Sequence, residues 1–213
     1  MSEAARISSD PRPRRSHAER TAETRARIIE AVVESISEVG FHNTTAAEIV
    51  RRAGVTWGAV QHHFGGKDGI LMAVLEASFG HFIHHLGNIE ADQTPLDKRV
   101  DLFIDRAWQH FRSPEYRSTF EILLNSEGRE HSASEPPWQS EMFTAWHGVW
   151  SRIFADVSLP RRRTAVLEHY TISVLAGLAA TQMLGGLGLR SHVGQLKLLK
   201  QTLYDELSDP NQI

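Results

Sequence analysis

Thr45, Thr56, Gln61 and Lys67 are the side chains whose types and spacing suit joint action on a polyanion. A threonine hydroxyl beside the free amides of a helix start matches a phosphate oxygen. Gln61 can donate to a phosphate or pair bidentately with adenine, and Ala59 can touch a thymine methyl. Gly58 lets a backbone approach closely. A cation at Lys67, in the first turn of a helix, opposes the helix dipole. Beside a phosphate it instead shares the anion with the amides of that turn. A second chemistry is possible at His81, His84 and His85, where imidazoles three and four residues apart can share a metal. No carboxylate or thiolate lies in the same run, so the metal-dependent hydrolase they would serve is the weaker reading. The sequence has no nucleophile elbow, phosphate-binding glycine loop or paired carboxylates, so no catalytic residue, resident metal or cofactor is expected.

Rigid elements must hold the first group, and residues 44 to 71 carry the signals for three helices. Thr45-Ala46-Ala47-Glu48 has the form of a capping box, in which hydroxyl and carboxylate each satisfy a free amide. Ile49 and Val50 give that helix its apolar face, and Gly54 sits where a left-handed residue ends it. Thr56 then caps a helix from Trp57 to Phe64, a glycine pair closes it, and Lys67 opens the next. Two short helices about a glycine-containing turn are the arrangement that lays the second in a DNA major groove.

The run Thr44-Thr45, Glu48-Ile49, Ala53-Gly54-Val55-Thr56, Gly58-Ala59-Val60, His62-His63-Phe64, Lys67-Asp68 and Leu71 resembles the DNA-binding signature of the TetR (tetracycline repressor) family, with no gap in the spacing. With the helix before it, the resemblance covers residues 18 to 71. It implies DNA contacts from Thr44 and Thr45, and from Thr56, Trp57, Ala59, Gln61 and His62 on the second helix. One residue departs from the pattern: Gln61 stands where the family usually has a tyrosine that touches the DNA backbone, so sequence preference does not carry over. The resemblance further implies a cytoplasmic homodimeric repressor on a palindromic double-stranded operator, released by a small hydrophobic ligand.

Composition is compatible with that expectation without pointing to it. The chain has 213 residues, 41% of them hydrophobic and 23% charged, enough for one or two compact units. Net charge is −3, but Arg6, Arg12, Arg14, Arg15 and Arg20 crowd the first twenty residues. Residues 1–15 read as a disordered basic arm, either a solvated tail or a contact to phosphate. With no cysteine there is no disulfide or thiolate site, as fits a reducing compartment. Tyr170 to Leu189 lacks charge and is long enough to cross a bilayer. Its four glycines and its Thr, Ser and Gln residues fit a buried helix better, so no membrane partner is expected.

The remaining pattern is all-α: a helix-turn-helix unit over 16–66, then a larger helical ligand-binding and dimerisation domain over 67–213. Ser16-His17-Ala18-Glu19 is a capping box for a first helix ending at Gly40. Pro95, Pro114 and Pro160 each mark a restart. In the resembled family an apolar pocket lies among the middle helices, which here implies Trp108, Phe111, Phe120, Leu124, Phe143, Trp146, His147, Trp150 and Gln182 as ligand contacts. Further polar candidates are Gln109, His110 and Asn125. The last two helices suit a two-fold four-helix interface, with Leu175, Leu178, Ala179, Leu196, Leu199 and Leu203 as its residues. A helical assembly protein using that interface alone is the third reading.

Overall fold

A computed structural model of the chain describes residues 16–87, 89–90, 93–126, 137–185 and 192–208. The expected basic arm, the polar loop after Gly128 and most of the glycine-rich joint before Val193 lie outside these residues. Every element described is helical: α1 His17–Val39, α2 Ala46–Ala53, α3 Trp57–Phe64, α4 Lys67–Gly87, α5 Leu96–Phe111, α6 Pro114–Ser126, α7 Pro137–Ile153, α8 Arg161–Met183 and α9 Val193–Ser208. A single 3-10 turn at Phe41–Asn43 joins α1 to α2.

The helix starts follow from local chemistry. Ser16 Oγ accepts from Glu19 N at 3.1 Å while Glu19 returns a carboxylate oxygen to Ser16 N at 2.6 Å, a complete capping box. At α2 only half of the expected box forms. Thr45 Oγ1 accepts from Glu48 N, but the Glu48 carboxylate turns to Arg51 and Arg52 instead. Two guanidinium partners outcompete one backbone amide for that carboxylate, and they hold its pKa down at about 2. Pro160 sits one position before α8, and Ser113 caps α6 through Tyr116 N.

Two apolar cores result. The first joins Ile28, Val32 and Ile36 of α1, Ile49 and Ala53 of α2 and Val60 of α3 to Ile70, Leu71, Val74 and Leu75 of α4, with Ile122 of α6. In the second, Phe82 and Leu86 of α4 pack with Phe103, Ile104 and Ala107 of α5, Trp146, Val149, Trp150 and Ile153 of α7, Leu175 of α8, and Leu199 and Leu203 of α9. The expected division at residue 66/67 falls at the start of α4, and α4 belongs to both cores. Helix α6 also crosses the division. Ser118 Oγ donates to Val33 O on α1, and the Glu121 carboxylate accepts from Phe41 N at 2.8 Å.

One ion pair fastens the second core. Arg99 of α5 is 3% exposed and grips Asp156 with two bonds of 2.5 and 2.6 Å while donating to Ile153 O. The guanidinium beside it pulls the Asp156 carboxyl below the usual carboxylate range. A depressed carboxylate pKa contributes stability above the unfolded value, about 3.9, which is lost as pH falls through the folded one. Asp156 is 63% exposed, so solvent screens much of the effect. Asp156→Asn should therefore cost about 1 kcal/mol at pH 7. Thermal melts of the two proteins should converge as pH is lowered below the ordinary carboxylate range.

Candidate nucleic-acid interface and ligand cavity

Helices α2 and α3 meet at Gly54, whose left-handed backbone (φ +62°) turns the chain. Thr56 Oγ1 accepts from Ala59 N at 3.3 Å and starts α3, and Gly65 (φ +72°) ends it. Val60 is fully buried and anchors α3 to the first core. Gln61, His62, Gly58, Thr45 and Thr56 are exposed, so α2's capped start and one side of α3 are open to a partner. From behind, Arg25 of α1 donates to His63 O and lays its guanidinium 4.4 Å from the Phe64 ring centre. Burial, with His62 and Arg25 close by, lowers the His63 pKa. The joint between α3 and α4 is closer still. A Cβ at Gly69 would lie 1.8 Å from Phe64 O, so no other residue fits there without displacing α3.

Two expected contacts are revised. Thr44 is 1% exposed and its hydroxyl lies between Ser35 Oγ and Gly40 O, both at 3.0 Å. It is an internal strut beneath α2, since a hydroxyl paired twice inside a core is unavailable to a phosphate. Trp57, expected to project outward, is half-buried and packs against the first core. Lys67 is half-buried with its ammonium 5.2 Å from the Phe41 ring centre.

Behind this unit lies a cavity of about 360 Å3. Its walls are Met72, Leu75, Glu76, Ser78, Phe79 and Phe82 of α4, His110 and Phe111 of α5, and Tyr116, Thr119, Phe120 and Leu123 of α6. Phe143 and Trp146 of α7 and Ile172 of α8 complete it. The Phe82 and Trp146 rings stack 5.5 Å apart at 9°, a parallel arrangement that presents flat apolar surface. Burial pushes the His110 pKa down to about 4 and raises that of Tyr116 to about 12, so both are neutral at pH 7. Met72, Leu75 and Leu123 also pack in or against the first core. The cavity thus abuts both cores at once.

The chain's relatives bear on these sites. Residues 28–74 match the model of the bacterial regulatory proteins of the tetR family. The chain is similar to the HTH-type transcriptional regulator SrpR of Pseudomonas putida, 39% identical over 118 residues that cover 52% of this chain and 50% of SrpR. It matches the uncharacterized HTH-type transcriptional regulator TtgW, also of Pseudomonas putida, at 39% identity over 118 residues, covering 52% of this chain and 79% of TtgW. The chain belongs to the TetR family. The SrpR match spans half of that protein's length, and the fold likeness reaches further than sequence. A TetR-family regulator from Streptomyces coelicolor superposes with a TM-score of 0.67 at 16% identity, covering 88% of this chain and 97% of the other. A second, from Marinobacter aquaeolei VT8, gives 0.66 at 15% over the same shares.

Within this TetR frame the cavity takes up four of the nine expected ligand contacts: Phe111, Phe120, Phe143 and Trp146. The other five face elsewhere. Trp108 meets His192 edge-on at 5.3 Å, Leu124 is 58% exposed, and Gln182 lines a separate cleft with Arg112 and Ser113. Trp150 is core. His147 points to α8, where Nδ1 lies 2.8 Å from Glu168 Oε1, with Ser151 Oγ 3.4 Å from Nε2. That order of atoms is a relay, but His147 is 63% exposed on the outer side of α7, and the contact serves to tie α7 to α8. The α4 wall is absent from the sequence expectation. Its signal, Met72-Leu75-Phe79-Phe82 at intervals of three and four, is legible in the residues but has the same form as core.

The interface expectation is revised in the same way. Leu175, Ala179, Leu199 and Leu203 are at most 1% exposed within the single chain and belong to its second core, while Leu178 and Leu196 are half-buried. The outward sides of these helices carry Val166, Tyr170, Ser173 and Gly177 on α8 and Val193, Leu198 and Tyr204 on α9. The histidine cluster also resolves differently from a metal site. His85 Nδ1 is occupied with His81 O at 2.8 Å, and no three His or carboxylate side chains among the described residues converge to hold an ion. Among the described residues no helix is long and apolar enough to cross a membrane.

The α3–α4 joint gives a direct check. Gly69→Ala should cost about 2 kcal/mol or more in urea unfolding, because the methyl meets a backbone carbonyl that cannot rotate away. It should also reduce retention of DNA fragments more than Gly80→Ala, whose Cβ meets open space.

Proposed function

We propose that the protein is a homodimeric, ligand-responsive, sequence-specific DNA-binding regulator, acting in the cytoplasm as a repressor that an apolar small molecule releases from its operator. The observation that carries this reading is the shared helix: α4 walls the cavity with one half and seats the DNA-facing unit with the other. A molecule that prefers one setting of α4 shifts the population of reading-competent dimers by its difference in affinity for the two settings.

Reading would fall to the exposed side of α3, with Gln61 and His62 reaching base edges or phosphates and Ala59 close to a thymine methyl. Thr45, Thr56 and Lys67 would fix the register on phosphate. One such unit spans only a few base pairs, so two must be held roughly 34–36 Å apart to read a palindrome. Among the described residues, six of the ten large apolar side chains left exposed lie on α8, α9 or Leu184 just after α8. A two-fold bundle of these outward faces would cover them.

Gln61→Ala combined with Lys67→Ala should abolish retention of DNA selected from a random pool, with helical content unchanged. For the native chain, affinity should fall steeply between roughly 50 and 200 mM salt, as phosphate contacts require. The selected sites should be palindromic; normal binding by the double variant, or sites without two-fold symmetry, would overturn the assignment. Leu198→Glu should separately convert the dimer to a monomer by sedimentation.

A further inference from the structure

The cavity behind the DNA-facing unit is walled mainly by rings, which belong to eight of its fifteen lining residues. Phe120 and Tyr116 of α6, Phe111 of α5, Phe82 of α4 and Trp146 of α7 form an unbroken chain. Their successive ring centres are 6.2, 4.5, 6.0 and 5.5 Å apart. Neighbouring planes meet at 29°, 45°, 90° and 9° in the same order, so the wall is built from rings in several orientations. Phe79, Tyr116 and Phe120 are half-buried and Phe143 is exposed, so these four lining rings keep accessible surface for an occupant to meet.

Few polar groups compete with the rings. Ser78 Oγ, Thr119 Oγ1 and Trp146 Nε1 belong to lining residues but are themselves buried out of an occupant's reach. Burial keeps His110 and Tyr116 neutral at pH 7, so neither supplies a counter-charge. The one charged lining residue, Glu76, is exposed, and no lysine or arginine lines the wall to hold an anion. A cation would be drawn to ring faces, but the burial that holds His110 unprotonated penalises any positive charge beside it. A volume of about 360 Å3 lies near the lower end of the range for small-molecule sites, roughly 300–1,000 Å3, which limits the occupant to a few rings. Aromatic rings have negative faces and positive edges, so an aromatic occupant gains on this wall what a saturated one of the same skeleton cannot. We infer that the cavity takes a small, uncharged aromatic hydrocarbon, held by stacking and edge-to-face contact with Phe79, Tyr116, Phe120 and Phe143 rather than by hydrogen bonds. The inference rests on the reading of this cavity as the effector site and adds a chemical class to it.

Naphthalene, tetralin (one ring saturated) and decalin (both saturated) share one fused carbon skeleton and lose aromatic character in steps. Transfer out of water alone favours decalin, which exposes the most apolar surface. The ring wall predicts the reverse order. Over the full native chain, vapour partition read by gas chromatography should give naphthalene at least about tenfold the affinity of decalin, with tetralin between them. Naphthoate and naphthylmethylammonium should each bind at least about tenfold more weakly than naphthalene. Phe79→Leu and Phe120→Leu, at half-buried positions, keep an apolar side chain and remove a ring. Each should lower naphthalene affinity about threefold and leave decalin within about twofold, with helical content unchanged. The double variant should bring naphthalene and decalin within about threefold of each other. Decalin or a charged probe bound as tightly as naphthalene, no binding by any hydrocarbon, or a preference that survives the double variant would overturn the inference. Release of retained DNA is scored separately. If decalin binds and releases DNA as well as naphthalene does, the effector reading stands and the aromatic assignment fails. If naphthalene binds selectively but leaves DNA retention untouched at saturation, the assignment stands and the effector reading fails.

Discussion

Helix α4 cannot satisfy its own apolar surface from one side. Ile70, Leu71, Val74 and Leu75 bury into the unit built by α1 to α3, and Phe82 and Leu86 into the bundle of α5 to α9. A three-helix unit as small as residues 17–64 has too little interior to be stable unaided, so it borrows half of a helix that the larger bundle also needs. The two parts are therefore one mechanical object. The cavity sits where α4 passes from one core to the other, the place where a modest change in packing has the most leverage on both.

Polar contacts divide the labour differently from the apolar ones. Ser118 and Glu121 of α6 reach across to α1 and the turn at Phe41, so the unit is held at a second point besides α4. Within the unit, Glu48 draws Arg51 and Arg52 together, and Arg52 also reaches Glu38 of α1 at 2.7 Å. These pairs, each reaching solvent on at least one side, contribute little to stability individually. Their geometric effect is larger, because they fix how α2 lies against α1 and so the angle at which α3 leaves the turn.

Local signals are readable from the residues, and long-range ones are not. Ser16 and Glu19, Thr56, Gly54 and Gly65 act through neighbours within a few positions, and the structure forms the caps and turns their types demand. Thr44 escapes such a reading because its partner, Ser35, lies on another helix nine residues away and has no sequence signature. Glu48 escapes it for the opposite reason: two closer partners are in plain view, but a capping pattern gives no ranking among competitors. Helix α4 is apolar on nearly every side, so periodicity cannot say which half faces which core. The leucines of α8 and α9 resemble an intermolecular seam because burial against one's own chain and against a copy have the same composition. Only the packing of both helices against α5 decides that Leu175 and Leu203 face inward.

The contact between Gly69 and the carbonyl of Phe64 leaves no slack between the last turn of one helix and the first of the next. Lacking a side chain as cushion, the two backbones touch, and a displacement of the longer helix reaches the shorter one without being absorbed on the way. A hinge would have isolated the outward surface from events in the interior. At this joint there is no such spacer, and a shift of the long member meets the short one directly.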